Sequence, residues 1–472
     1  MDIRTSRIIP IVEAVKSGNS SARKEVEAAF ARIEATAAYH AVLEVVKDRA
    51  LQRADEIDRA IAAGATPGRL AGVPFIVKDN ILTLGSNTTA ASNILRDFKA
   101  PYQATVIDRL EAEGAIVVAK ANLDSFGHGS STENSDFGVT LNAHDQTRVP
   151  GGSSGGSTTA IALELTPFAL GTDTGGSIRQ PSSFSGVLGL KPTYGAVSRF
   201  GAVAMASSTD TIGPITSSAY DAALVLEIMG GQDERDGTSI QIPMETLPLD
   251  VTGLRVGVIK QYMDEGVQPE VKARVAAAVD RLGAAGATIS EVDVPSLALA
   301  LPAYYIIIPA ELSSNLARYD GIKYGHVAED AKDLSEQYSQ TRTEGFNSEN
   351  IRRIMIGTYV LSSGYFDAYY RKAQTVRTLI INEFSNAFKT VDMLVGPVAP
   401  TTAFKIGENT TDPLQMYLAD VMTVGISLAG LPAASVPVGT ADGLPVGMQV
   451  VGPQRADMKV LALAGEIMKE AA

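Results

Sequence analysis

Apolar residues along this chain fall into short unbroken runs separated by stretches of helical spacing. Val73-Pro-Phe-Ile-Val77 is one such run, Thr105 to Glu113 places its apolar positions on one helical face, and Ala115-Ile-Val-Val-Ala119 is a second run. A strand without polar alternation is buried on both faces, and a strand–helix–strand order then points to a parallel sheet covered on both sides. The same order returns in Leu254 to Ile259, then Val271, Val275, Val279 and Leu282, then Ala287 to Val294. Asp392 to Pro400 and Ala434 to Val438 add strands near the end of the chain. The pattern predicts an α/β fold: a large mixed, mainly parallel central sheet with helices on both faces.

Residues 8–65 read as mostly helical and close on the turn Gly64-Ala-Thr-Pro-Gly68. This predicts a helical lead-in over residues 1–65 packed on the core, and one domain over residues 66–472, since no low-complexity linker divides the remainder. The most apolar stretch, Leu297 to Ala310, contains Pro302 and Pro309. Those prolines are expected to break it, leaving a segment too short to cross a membrane.

Composition narrows the chemistry. Hydrophobic residues make up 45% and charged residues 20%, which fits a folded protein and is too apolar for a disordered one. A formal charge of −13 gives no general positive field for a polyanion, so autonomous nucleic-acid binding is not expected. With Cys at 0, a Cys nucleophile, thiolate metal sites and disulfides are excluded. His40, His128, His144 and His326 are scattered, so no metal is expected. Met1 to Arg7 shows no basic-then-apolar signal, and the chain reads as cytoplasmic.

Two Gly/Ser blocks remain, Gly151-Gly-Ser-Ser-Gly-Gly-Ser157 and Gly171-Thr-Asp-Thr-Gly-Gly-Ser-Ile-Arg-Gln180. The first also reads as a flexible linker. Neither carries a Gly-Lys-Ser/Thr ending or a Gly-x-Gly-x-x-Gly, which disfavours nucleotide binding, and Gly-x-Ser-x-Gly fits only out of register. A serine hydrolase with a base other than histidine is left. Lys78 ends the run Val73 to Val77, where a strand's carboxyl end presents a side chain to a crevice; its alternative reading is an ordinary surface lysine.

Together, Gly72-Val-Pro-Phe-Ile-Val-Lys-Asp79 and the two Gly/Ser blocks, in that order, resemble the amidase signature family of Ser-cisSer-Lys amidohydrolases. The resemblance implies the amidase-signature fold, with its signature core at about 70–215. It implies Ser177 as nucleophile, Ser153 as a bridging serine after a cis peptide, and Lys78 as terminal base. It also implies an oxyanion hole built from Thr174, Gly175, Gly176 and Ser177.

Gly129-Ser-Ser-Thr-Glu-Asn-Ser135, Gly189-Leu-Lys-Pro-Thr-Tyr-Gly195, Val197-Ser-Arg-Phe-Gly201 and Ile351 to Tyr370 are similar to one branch of that family, the A subunits of glutamyl-tRNA(Gln)/aspartyl-tRNA(Asn) amidotransferases. That similarity implies a glutaminase that supplies ammonia to a partner. It implies Gly129, Ser130, Tyr304, Arg353 and Asp420 as the glutamine pocket, with Arg353 on the α-carboxylate and Asp420 on the α-ammonium. It implies two further subunits, one that binds tRNA and activates it as a kinase and one small linker, with no cofactor in this chain and ATP with Mg²⁺ used at the partner. tRNA would be reached only through the partner, with no membrane involved.

Arg352 beside Arg353 reads equally as a solvated charge, Asp420 as a structural cap, and Tyr304 beside Tyr305 as core. His128 in Phe126-Gly-His-Gly129 and Ser185 in Ser183-Phe-Ser-Gly186 depart from the commoner wording. A free-standing amidase of small amides and a non-catalytic scaffold stay open beside the glutaminase. Loss of Lys78, Ser153 or Ser177 would mark the scaffold, and all three are present. Arg353 and Asp420 separate the other two.

Overall fold

The computed structural model describes residues 2, 5–244, 249–264, 266–410 and 413–471. Its strands are β1 (Val42–Val45), β2 (Pro74–Lys78), β3 (Ile116–Ala121), β4 (Phe168–Asp173), β5 (Leu188–Lys191), β6 (Thr211–Thr216), β7 (Arg255–Ile259), β8 (Thr288–Val292), β9 (Met393–Pro397), β10 (Ala433–Ala441) and β11 (Leu444–Val451). The first helices are α1 (Ile8–Ser17), α2 (Ala22–Ala35), α3 (Lys47–Ala62), α4 (Thr105–Ala112), α5 (Gly155–Ala162), α6 (Arg179–Ser185) and α7 (Ala219–Met229). They are followed by α8 (Pro269–Ala284), α9 (Ala300–Asn315), α10 (Leu334–Gly345), α11 (Ser348–Leu361), α12 (Lys372–Ala387), α13 (Pro413–Leu418), α14 (Val424–Leu428) and α15 (Asp457–Ala471).

All the strands join one 11-stranded sheet in the order β1-β3-β2-β4-β6-β5-β10-β11-β9-β7-β8. The unbroken apolar runs divide between two cores by the two-residue period of a strand. Phe75, Val77, Val117, Phe168 and Leu170 face the larger core, and the Phe75 and Phe168 rings stack at 4.8 Å. Ile76, Ile116, Val118 and Ala169 face the other, against α2, α3 and α5. Helices therefore cover both faces of a mixed sheet, as the pattern predicts.

The expectation that the sheet is mainly parallel is corrected. Parallel pairing is confined to two blocks, β3-β2-β4 and β9-β7-β8. The middle of the sheet, from β4 through β6, β5, β10 and β11 to β9, is antiparallel. A strand buried on both faces reads the same whichever way its neighbour runs, so the apolar run is silent on direction. The local signal lies in the turn: Asp442 and Gly443, at φ 50° and 79°, make a tight Asp-Gly hairpin between β10 and β11.

Residues 8–65 are mostly helical, with one short strand among the helices. β1 lies between α2 and α3, half-exposed, and pairs antiparallel with β3. Its four residues are too few and too exposed to register as an apolar run. The prolines near residue 300 also behave differently from expectation. Pro302 sits in the first turn of α9, where its missing N–H has no helical partner to lose, and Pro309 is carried inside the helix. With its flanking turns the helical stretch spans Pro295–Arg318, 24 residues, long and apolar enough by composition to cross a membrane. Its most apolar window is nevertheless 56% buried within the protein, and α9 packs against α11 and α12. The carbonyl of Pro309 comes so close to Gly357 of α11 that any Cβ there would collide with it.

Candidate active site

β2 and β4 run side by side in parallel, Val77 opposite Leu170, so Lys78 and Thr172 emerge together at their carboxyl ends. This is the edge at which parallel α/β sheets place their crevices. Lys78 is completely buried. Its Nζ lies 2.8 Å from Ser153 Oγ, 2.9 Å from Ser154 Oγ and 2.8 Å from Thr172 Oγ1. Burial lowers its pKa to about 7, against the opposing pull of Asp124, Asp173 and Asp210. A substantial neutral fraction exists at neutral pH.

The hydroxyl network sets which way that amine faces. Ser154 Oγ donates to the Thr172 carbonyl at 3.1 Å, which leaves it an acceptor toward Lys78. Thr172 Oγ1 also accepts from Asn80 Nδ2 at 3.1 Å. A neutral amine has two hydrogens and one lone pair. With the hydrogens on Ser154 and Thr172, the lone pair is left for Ser153.

Ser153 follows a cis peptide bond from Gly152. Gly152 N–H donates to Gln180 Oε1 at 2.9 Å, and Gln180 Nε2 donates to the Ser130 carbonyl at 3.1 Å. Ser154 N–H donates to the Ser177 carbonyl at 3.0 Å, tying the two Gly/Ser blocks together. The first block is therefore a buried, hydrogen-bonded loop leading into α5, not a linker.

The turn from β4 to α6 carries Ser177. Asp173 accepts the N–H groups of Ile178 and Arg179 and a two-point ion pair from the Arg179 guanidinium at 3.0 and 2.9 Å. Both side chains are wholly buried. Gly176 has φ 145°, which a side chain rarely allows, and a Cβ on Gly175 would strike the Tyr304 hydroxyl. Thr423 Oγ1 donates to the Gly175 carbonyl at 2.5 Å, and Thr174 Oγ1 to Asp210 at 2.7 Å. Burial raises Asp210 to about 6. Among the described residues the backbone N–H groups of Gly175, Gly176 and Ser177 have no acceptor, which leaves them available to a substrate oxygen.

Facing this turn is a second group of charges. Asp420 is buried, accepts from Ser130 Oγ at 2.8 Å and from the Tyr305 hydroxyl at 3.3 Å, and burial raises it to about 7. Arg353 leaves 4% of its side chain exposed, whereas Arg352 leaves 44%. Arg353 is thus the inner and Arg352 the solvated member of the pair. Arg353 Nε donates to Glu349 at 2.7 Å, and its guanidinium lies over the Tyr305 and Tyr417 rings. Burial opposes its charge, but Tyr305, Glu349 and Tyr417 outweigh that and hold its pKa above the usual arginine range. Among the described residues its terminal nitrogens have no hydrogen-bond partner.

Tyr305 links the two charges, its hydroxyl toward Asp420 and its ring under Arg353. Tyr304 packs edge-on against Tyr305 with its hydroxyl at Gly175. Gly129 sits against the Asp124 carboxylate, where any side chain would collide. The candidate residues of the sequence therefore converge. Ser185 does not join this group: its hydroxyl donates to the Pro150 carbonyl at 3.3 Å and lies 3.1 Å from Thr158 Oγ1. Ser154, Thr172, Gln180, Asp210 and Thr423 join the site without a signal of their own in the sequence, although Thr172 and Gln180 lie in the same Gly/Ser block as Ser177.

The amidase family model matches residues 24–461. The A subunit of the glutamyl-tRNA(Gln) amidotransferase of Thermosynechococcus vestitus is 54% identical over 90% of this chain and 88% of its own length. In a crystal structure, the A subunit of the glutamyl-tRNA(Gln) amidotransferase of Thermotoga maritima superposes with a TM-score of 0.79 at 39% identity, covering 95% of this chain and 92% of that one. A bacterial aryl acylamidase of the amidase signature family gives a TM-score of 0.87 at 26% identity, covering 98% and 96%. Backbone shape is thus shared across substrates, while sequence identity is higher with the tRNA-linked relatives. With a matching family model over most of its length and a lysine, a serine loop and a glycine turn gathered at one strand edge, this chain belongs to the amidase family.

Proposed function

We propose that this chain is the glutaminase subunit of a tRNA-dependent amidotransferase, hydrolysing glutamine through Ser177, Ser153 and Lys78. The observation that carries the chemistry is the buried Lys78 amine 2.8 Å from Ser153 Oγ. Ser177 Oγ attacks the side-chain amide carbonyl of glutamine, and its proton passes to Ser153 as the Ser153 proton passes to neutral Lys78. The oxyanion is held by N–H groups of the Thr174–Ser177 turn, where losing one donor costs about 3–4 kcal/mol. The protons return to the leaving nitrogen, ammonia departs, and water cleaves the glutamyl ester by the same relay.

Arg353 holds the α-carboxylate and Asp420 the α-ammonium, while Ser130, Gly129 and Tyr304 shape the space between pocket and turn. A zwitterion needs one fixed cation and one fixed anion, and this pocket supplies both. That favours glutamine over the small amides of the free-standing amidase reading.

The ammonia serves a partner that converts Glu-tRNA(Gln), Asp-tRNA(Asn) or both. With a charge of −13 this chain has no general means of holding tRNA, so a second subunit binds it and activates its carboxylate with ATP and Mg²⁺ in the cytoplasm, and a small third subunit links the two. An exposed apolar ridge offers a place for the tRNA-binding partner to dock: Met355 is 66% exposed, and Tyr359, Tyr365 and Tyr369 cluster beside it.

The chemistry is tested by acid-quenching the enzyme during glutamine turnover and mapping the acyl group by peptide mass spectrometry. A glutamyl ester on Ser177, absent in Ser177→Ala, is expected. An ester on any other residue would remove the assignment.

A further inference from the structure

The turn that carries Ser177 contains two successive glycines, Gly175 and Gly176, which have no side chains of their own to hold the backbone. Asp173 and Arg179 fix it on one side. What fixes the other side follows from the sheet register. β6 runs antiparallel to β4 with Thr211 opposite Asp173, so Asp210, the residue before β6, stands beside Thr174, the residue after β4. Asp210 Oδ1 accepts from Thr174 Oγ1 at 2.7 Å. Thr174 is the last side chain before the glycines, and its carbonyl shares one rigid peptide plane with the Gly175 N–H. The setting of Thr174 therefore aims that N–H.

Asp210 is itself held. Its second oxygen, Oδ2, accepts the N–H groups of Met205 at 2.9 Å and Ala206 at 3.0 Å, which closes residues 205–210 into a loop. Helices grip this loop at Ser208. The Ser208 N–H donates to Glu311 of α9 at 2.9 Å. Arg377 of α12 donates from Nη1 to Ser208 Oγ at 2.8 Å and from Nη2 to the Ser208 carbonyl at 2.9 Å, while its Nε donates to the Leu428 carbonyl at the end of α14 at 2.8 Å. A carboxylate that only closed its own loop would have no use for Thr174. Here the work is divided, one oxygen for the loop and one for the turn.

We propose that Asp210 is a positioning residue for the hydrolysis, holding the oxyanion turn through the Thr174 hydroxyl, and that Arg377 keeps Asp210 in place through the loop. The proposal rests on reading the N–H groups of Gly175, Gly176 and Ser177 as the oxyanion hole. It adds a line of support from α12 to the reacting centre that does not pass through the glutamine pocket.

The test measures glutaminase kinetics of the assembled complex. Thr174→Val removes the hydroxyl while keeping the side-chain shape and the Asp210 charge, which also acts on Lys78. It should lower kcat by about 10- to 100-fold, the effect of a small misplacement at the reacting centre, with KM for glutamine and the ionisation of the rate little changed. Thr174→Ser, which restores the hydroxyl, should recover most of the rate. Asp210→Ala should lower kcat at least as far, and the double variant with Thr174→Val should be no slower than Asp210→Ala alone. Arg377→Met should lower kcat in the same direction, and a wild-type kcat there overturns its part. Should Asp210→Ala fail to fold, the Thr174→Val and Thr174→Ser pair decides. With Ser177→Ala inactive, a wild-type kcat in Thr174→Val, or losses that multiply in the double variant, overturns the proposal alone. A Ser177→Ala complex that still hydrolyses glutamine overturns the reading of the turn and the proposal with it.

Discussion

Ser153 and Ser154 are neighbours in sequence and both touch the same lysine nitrogen, yet their surroundings give them different work. Ser154 has its hydrogen committed to the Thr172 carbonyl, whereas Ser153 stands before the lone pair. The sequence marks Lys78, Ser153 and Ser177 because their motifs stand in a fixed order. It does not mark Thr172 or Asn80, because a hydroxyl or amide in a polar block looks alike whether it orients a base or bonds to itself. Arg352 and Arg353 show the same limit, since only burial separates the solvated charge from the inner one. The lowered pKa of Lys78 carries a sign. In the proposed relay the amine is protonated and idle below about pH 7 and neutral above it, so kcat/KM should rise through about 7 and then level. Asp420, raised to about 7 by burial, ionises over the same range, so with the proposed contact to the α-ammonium glutamine binding should strengthen as pH rises. Glutaramate, having no α-amine, separates the two: its profile should keep the single Lys78 ionisation. A profile that is flat from about pH 6 to 9 with glutaramate would contradict the neutral-lysine relay.

At the scale of elements, the site depends on the turn from β4 to α6 keeping a shape that its own residues do not hold alone. Asp173 and Arg179 lock that turn from behind, with Arg179 also donating to Gln449 at 2.6 Å and to the Thr423 carbonyl at 3.1 Å. Removing one partner of a buried ion pair leaves the other uncompensated and typically costs about 3–5 kcal/mol. Arg179→Met should therefore lower the urea midpoint strongly and reduce activity with it, although Arg179 is placed behind the turn. An unchanged midpoint would mean that the pair is dispensable. The βαβ blocks at β2-α4-β3 and β7-α8-β8 are legible in the sequence because runs and helical spacing alternate there. The antiparallel middle is not, because direction is encoded in turns such as Asp442-Gly443 and in contacts between distant strands. β1 escapes because half-exposed strands of four residues leave almost no pattern.

The whole molecule combines a buried reaction centre, an acidic surface and an exposed aromatic ridge. Met355 and Tyr359 are exposed on α11, which also carries the buried Arg353, and Tyr365 and Tyr369, beyond the end of that helix, pack against Tyr359. A partner docked there would be coupled to the glutamine pocket through a single rigid element. Met355→Glu should reduce recovery of the partner subunits on co-purification while leaving hydrolysis of a small amide by the isolated chain near its wild-type rate. Retention of the partners at wild-type yield would place the interface elsewhere.

In the proposed reaction, glutamine nitrogen released here ends on a tRNA-linked carboxylate held by another subunit. The direct measurement mixes the purified chain, its partner subunits, mischarged tRNA, ATP and Mg²⁺ with glutamine labelled with ¹⁵N in its side-chain amide, and follows label into the aminoacyl group. Labelled Gln-tRNA or Asn-tRNA should form with the complete set and should be lost with Ser177→Ala. Efficient hydrolysis of diverse amides by this chain alone, with no labelled aminoacyl-tRNA from any combination of partners, would contradict the account and return the chain to the free-standing amidases.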